Sequence, residues 1–138
     1  IVWLAALLIA LPAAASAELR AEERRMAGIV EAESERSIAL LERLVNRNSG
    51  TLNLDGVRAV GDIIRAELEP LGFDVRWIDM AETGRAGHIV ATHRSSGRGK
   101  RVLLIAHLDT VFEPHSPFQS FARDGNRATG PGIGAGFK

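Results

Sequence analysis

The stretch that most constrains this chain is Arg101–Phe112, RVLLIAHLDTVF. Val102 to Ala106 are apolar without a break, and the turn-rich segment SSGRGK leads into them. A run of this kind predicts a strand covered on both faces, because a strand with one wet face would alternate. Such strands lie in the middle of α/β sheets, and ligands sit beyond their carboxyl ends. His107 and Asp109 stand where the run gives out. Two residues apart on an extended chain, they point to the same side, so one can ligate while the other orients it.

A neutral imidazole is the commonest metal ligand among side chains. Its second nitrogen usually donates to a carboxylate, which settles the tautomer and raises ligand basicity. Three His or carboxylate ligands with an open position make a catalytic zinc site. His107 is therefore the candidate metal ligand and Asp109 its candidate orienting carboxylate. The same spacing admits a plainer alternative, a histidine satisfied by a backbone carbonyl and an aspartate capping the next turn. There is no cysteine, so any metal must be held by His and carboxylates, and disulfides and cysteine nucleophiles are excluded. Lys plus Arg equals Asp plus Glu, 17 against 17, and no basic excess points to nucleic acid.

The remaining candidates are weaker. His88 and His93 are separated by an odd number of residues on an expected strand, so they face opposite sides. His115 lies in a loop between Pro114 and Pro117. Ser49 and Ser116 lack the Gly-x-Ser-x-Gly setting of an activated serine. The glycines from Gly130 to Gly136 match neither Gly-x-Gly-x-x-Gly nor the Walker A pattern.

Ile1–Leu11, IVWLAALLIAL, is wholly apolar and is followed by Pro12 and then AAASA. This predicts a signal peptide over 1–17 with its cleavage site at Ala15-Ser16-Ala17. A membrane span would need roughly 18 apolar residues or more; an uncleaved anchor is the alternative. The basic n-region and initiating Met are missing, so the sequence is expected to begin inside the signal. The mature portion, 18–138, is then periplasmic or secreted, with no membrane contact after cleavage.

The mature portion is long enough for one domain with a core. Ile38, Leu41, Leu44 and Val45 recur at helical spacing, predicting a helix over about 33–46 with a looser helical lead-in. Asn48-Ser49-Gly50-Thr51 breaks the chain. Asn53 is a fitting N-cap for a helix over about 54–69, with Val57, Val60, Ile64 and Leu68 as its buried stripe and Pro70 and Gly72 ending it. Strands are expected over 73–78, His88–His93 and Arg101–His107. Asp124-Gly125 is expected as a hairpin turn between Phe118–Arg123 and Asn126–Thr129. The order reads as the opening portion of an α/β layer fold.

Four segments together carry a family resemblance. ERLVNRNSGTLNLDGVRAVGDIIRAELEPLGF over Glu42–Phe73, GHIVATH from Gly87, LLIAHLDTVF from Leu103 and GPGIG from Gly130 resemble the M20 metallopeptidases, most of all the glutamate carboxypeptidase type, which are exported zinc exopeptidases. The resemblance implies an α/β, zinc-peptidase-like (phosphorylase/hydrolase-like) three-layer catalytic domain with a pair of zinc ions, of which this chain carries the N-terminal part. His107 corresponds to the family's first histidine ligand and Asp109 to the Asp that orients it. The family's next motif, Gly-x-Gly-x-x-Asp-x-Lys-Gly-Gly, laid on Gly130–Gly134, puts its metal-bridging Asp at Ala135. That ligand is absent, and Lys138 is one place beyond the expected lysine. The general-base Glu, the other ligands and the inserted dimerisation domain do not occur in these residues.

On this resemblance the chain is expected to be an incomplete piece, cut or frameshifted near Gly134, and inactive alone. Its parent would be a zinc-dependent exopeptidase releasing a C-terminal amino acid such as glutamate. Its substrate would be a peptide or N-acyl amino acid, and a homodimer is allowed for the parent. Two other readings stay open: an N-acyl-amino-acid deacylase or desuccinylase on the same scaffold, and a non-catalytic exported interaction fragment. A both-faced strand such as Val102–Ala106 without its full cover makes a marginal, aggregation-prone piece.

Overall fold

The computed structural model describes residues 19–94, 97 and 99–133 of the 138. The signal segment read over 1–17, Ala135 and Lys138 lie outside these residues. The chain divides after Glu35 into two compact units. In the first, α1 (Ala21–Ala32) is rich in Ala, Glu and Arg, which are strong helix formers. Glu23 closes its first turn by accepting from the Arg20 backbone N–H and from the Arg20 guanidinium, both at 2.8 Å. The expected loose lead-in is thus a regular helix, although it buries no residue and leaves Met26, Ile29 and Val30 exposed.

α2 (Ser34–Val45), all but its first two residues in the second unit, and α3 (Leu54–Leu68) bear out the helices expected over 33–46 and 54–69. Asn53 caps α3 by accepting from the Gly56 N–H at 3.2 Å. Val45, Val57 and Val60 form the buried apolar core, at 7%, 5% and 6% exposed; burying such a side chain contributes about 1.5–3 kcal/mol. On the surface, Glu67 accepts from Arg36 at 2.6 Å and from Arg43 at 3.1 Å, tying α2 to α3. Exposed pairs like these contribute roughly 0.2–1 kcal/mol each. A short 3₁₀ turn, Glu69–Leu71, carries Pro70, and Gly72 at φ +84° ends the helical path.

β1 (Asp74–Asp79) and β2 (Gly87–Thr92) pair antiparallel, with Trp77 opposite Ile89. The Trp77 indole packs on α3 where Gly61 leaves room, and the Arg58 guanidinium lies 4.4 Å from its ring centre. A Cβ at Gly61 would come within 2.7 Å of Trp77 Cζ3. A second hairpin, β3 (Ala122–Asp124) with β4 (Arg127–Thr129), pairs Asp124 with Arg127. Its turn is therefore Gly125-Asn126, one residue beyond the expected Asp124-Gly125, because Gly125 takes φ +56° and so occupies the first turn position. No helix among the described residues is long and apolar enough to cross a membrane.

The central strand expected over Arg101–His107 is not formed. These residues pair with no strand among those described, and Val102, Leu103, Leu104 and Ile105 are 78–89% exposed. The physical reason is a shortage of partners. An apolar run of this kind needs a strand on each edge and a layer on each face, and the described residues offer two separate two-stranded hairpins. The architecture is mixed helix and small antiparallel sheets, compatible with an α/β fold, and the described residues do not assemble the expected three layers.

Two substitutions test this packing. Gly61→Ala gains about 1 kcal/mol of helix propensity but overpacks Trp77 at a cost of roughly 1–3 kcal/mol. Thermal unfolding followed by Trp77 emission in a Trp3→Phe background should show a lower midpoint. Leu104→Lys should change stability by no more than about 0.5 kcal/mol, as surface changes do, and raise the soluble fraction. A loss of several kcal/mol would instead mean that Leu104 is buried.

Candidate functional site

The site is built where two loops meet: residues 46–53, which join α2 to α3, and residues 109–121, which follow the apolar run. Gly50 and Thr110 form a parallel bridge between them. The Thr110 N–H donates to Ser49 O at 2.8 Å, and Thr110 O accepts from the Thr51 N–H at 3.0 Å. A Cβ on Gly50 would fall 2.7 Å from the Glu113 Cα and 2.5 Å from its Oε2. Glycine is what allows the backbones to come this close.

Amide side chains lock the junction. Asn48 Nδ2 donates to Phe112 O at 2.8 Å and to Gln119 Oε1 at 2.7 Å. Gln119 Nε2 donates in turn to the carbonyls of Glu113 and Ser116. Asn46 Oδ1 accepts from the Phe121 N–H at 2.9 Å, and Glu113 Oε1 accepts from the Leu52 N–H at 3.0 Å. Ser49, at 5% exposed, is buried within it.

Asp109 stands beside this bridge with its two oxygens divided. Oδ2 accepts from the Thr51 hydroxyl at 2.7 Å, and Oδ1 lies 2.9 Å from His107 Nδ1. Partial burial pushes the Asp109 pKa up, but the hydrogen bonds from Thr51 and His107 outweigh it and hold the carboxyl below its ordinary value. An ionised carboxylate only accepts, so the proton of the contact sits on His107 Nδ1. The Nε2 lone pair is then free to take a cation, and the ring is 89% exposed. The two side chains meet, as their spacing leads one to expect, even though the segment before them is not a strand.

The other histidines are elsewhere. His88 is exposed on β2, His93 lies one residue past its end with its ring 5.1 Å from Phe73, and His115 is exposed in its loop. Among the described residues, no three His, Asp or Glu side chains gather closely enough to hold a metal ion. Gly130 and Pro131 are buried, and a Cβ on Gly130 would meet Val45 Cγ1 at 2.5 Å. Gly132, at φ +80°, comes against Thr110, so the glycine-rich segment returns to the site. Ala135, the position matched to the family's bridging Asp, is outside the described residues. Sequence reasoning missed Thr51, Asn48 and Gln119. The signal was present in Asn48-Ser49-Gly50-Thr51, a dense group of side-chain donors and acceptors read only as a break.

The lowered Asp109 pKa fixes a pH dependence. A carboxyl lowered by folding contributes its full stabilisation above its unfolded pKa and loses it as pH falls through the lowered value. Carboxyl ¹³C titration of Asp109 should give a midpoint below that of an ordinary Asp, with exchange protection of the Thr110 amide falling over the same range. A midpoint at or above the ordinary value would contradict the hydrogen-bond arrangement.

No protein-family model matches the chain. Over 100 residues, 70% of its length, it is 38% identical to carboxypeptidase G2 of Pseudomonas sp. (strain RS-16). The matched stretch spans 23% of that protein, so the chain corresponds to about a quarter of its relative. On this match the chain is carboxypeptidase-like, a relative of a hydrolase.

Proposed function

We propose that the chain is the N-terminal portion of an M20-type, zinc-dependent exopeptidase that releases a C-terminal amino acid such as glutamate. One observation carries this: His107 holds its Nδ1 on Asp109 at 2.9 Å and leaves Nε2 exposed, within a carboxypeptidase-like chain. In this reading His107 ligates zinc, and Asp109 orients the ring and raises its basicity. When bound in such a site, zinc polarises the scissile carbonyl.

The donors present fit one ligand position and its orienting partner. Among the described residues the rest of a ligand set is missing, and Ala135 cannot supply the family's bridging carboxylate. No catalytic step is therefore assigned to these residues alone. The apolar Ile1–Leu11 and the Ala15-Ser16-Ala17 site support export to the periplasm or the medium. Dimerisation belongs to the parent enzyme in this proposal.

Two measurements test it. Zinc titration of the 138-residue chain should show weak binding of at most one ion, and no release of C-terminal glutamate from dipeptide or folate-type substrates. Binding of two ions, or turnover, would overturn the inactive-piece reading. For the positive arm, the matched residues of this chain replace their counterparts in carboxypeptidase G2. That graft should keep zinc-dependent release of a C-terminal amino acid. In it His107→Ala should abolish activity, and Asp109→Asn should lower it by about 10–100-fold. A graft releasing an acyl group instead would identify a deacylase.

A further inference from the structure

We infer that Thr51 is a positioning residue for His107, acting through the Asp109 carboxylate to select the Nδ1–H tautomer and aim Nε2 outward. This rests on the reading of His107 as a metal ligand only for its functional consequence. The positioning itself stands on geometry.

His107 has little of its own to hold it. It ends a segment that joins no sheet among the described residues, its ring is 89% exposed, and it meets Asp109 at 2.9 Å. A contact between two side chains, one of them in open solvent, is weak unless one member is already immobilised. Asp109 is immobilised by its neighbours in sequence and by Thr51. Leu108 reaches the Gly61 position on α3, where a Cβ would lie 3.7 Å from Leu108 Cδ1, and Thr110 is held by the bridge. These contacts fix the Asp109 backbone. What fixes its carboxylate is the Thr51 hydroxyl on Oδ2 at 2.7 Å.

Thr51 is well placed to do this. It lies in a turn closed by the Asn53 N–H on Gly50 O at 2.8 Å, and Asn53 is the cap of α3. Its own N–H is bound to Thr110 O, and the next residue's N–H to Glu113. Its branched side chain has few rotamers. A rigid helix end is thereby connected to an exposed imidazole through a cap, a turn, a hydroxyl and a carboxylate.

The hydroxyl has a competing acceptor, Thr110 O at 3.2 Å. It carries one proton. The shorter contact is to an anion, and charge-assisted hydrogen bonds are the stronger ones, so the proton goes to Asp109. If it went to Thr110 instead, Thr51 would merely brace the loop and His107 would be indifferent to it. With Oδ2 engaged, the carboxylate presents Oδ1 to the ring in one orientation, and Nδ1 must be the protonated nitrogen. An unconstrained neutral histidine side chain in water favours the opposite tautomer, Nε2–H, in which the ligating lone pair is lost from Nε2. The tautomer is therefore a readout that loop bracing alone would not move.

The experiment uses the full chain, ¹⁵N-labelled at histidine and free of metal, at a pH where His107 is neutral. Wild type, Thr51→Ser, Thr51→Val and Thr51→Ala are compared by long-range ¹H–¹⁵N correlation. Exchange protection of the Thr110 amide reports the bridge, and zinc affinity is measured by competition with a chromophoric chelator. Wild type and Thr51→Ser should show Nδ1–H. Thr51→Val and Thr51→Ala should shift towards Nε2–H with the bridge intact, and bind zinc about tenfold more weakly, as loss of a partner behind a ligand does. A tautomer that follows bridge protection rather than the hydroxyl would overturn the inference, as would Nδ1–H in all four proteins. If the tautomer follows the hydroxyl but His107→Ala leaves zinc binding unchanged, the positioning role stands and the ligand reading fails.

Discussion

The structure around the site depends on how closely two backbones approach at Gly50 and Thr110. The bridge brings together residues about 60 positions apart, so closing it costs chain entropy that no single hydrogen bond repays. Each net bond contributes only about 1 kcal/mol, and the junction answers with many at once: two backbone bonds, the Asn48 amide on Phe112 and Gln119, Asn46 on Phe121 and Glu113 on Leu52. Because Ser49 and Gly50 are buried, each polar group there needs a partner. Glycine at position 50 is the condition for all of them.

Against this well-satisfied polar junction stands a poorly satisfied apolar one. Among the described residues the buried apolar core amounts to three valines, whereas Val102, Leu103, Leu104 and Ile105 lie open to solvent. At about 1.5–3 kcal/mol for each such side chain when buried, the uncollected hydrophobic free energy is comparable with the whole stability of an ordinary domain. An extended apolar segment without ladder partners is also a template for pairing with another chain. The chemistry at His107 and Asp109 survives beside it because it is anchored from the other direction, through Leu108 and Thr110.

Local rules read the helices well. Asn53 as a cap and the Pro70–Gly72 stop are decided within a few residues and appear as expected, while of the expected stripe Val57 and Val60 are buried and Ile64 and Leu68 are only half-buried. The strand over 73–78 followed from alternation at Val75 and Trp77; its antiparallel pairing with β2 did not. The apolar run was misjudged for an equally physical reason: periodicity reports what a segment requires, and Val102–Ala106 requires neighbours that the described residues do not provide. His107 and Asp109 were legible because their spacing is itself the geometry. Thr51 was not, since its partner is 58 residues away and nothing local marks a hydroxyl as aimed.

The Asn53 cap and the His107 ring belong to one connected set of hydrogen bonds, and that has a thermodynamic consequence. Coupling of this kind runs equally in both directions. In the role proposed for His107, a cation on Nε2 would select the Nδ1–H form, and with it the Asp109 orientation that Thr51 and the turn before α3 hold in place. Conversely, anything that frays that turn would lower the affinity of the ring for such a cation. In the proposed role of His107, the first turn of α3 would in this sense be part of the ligand.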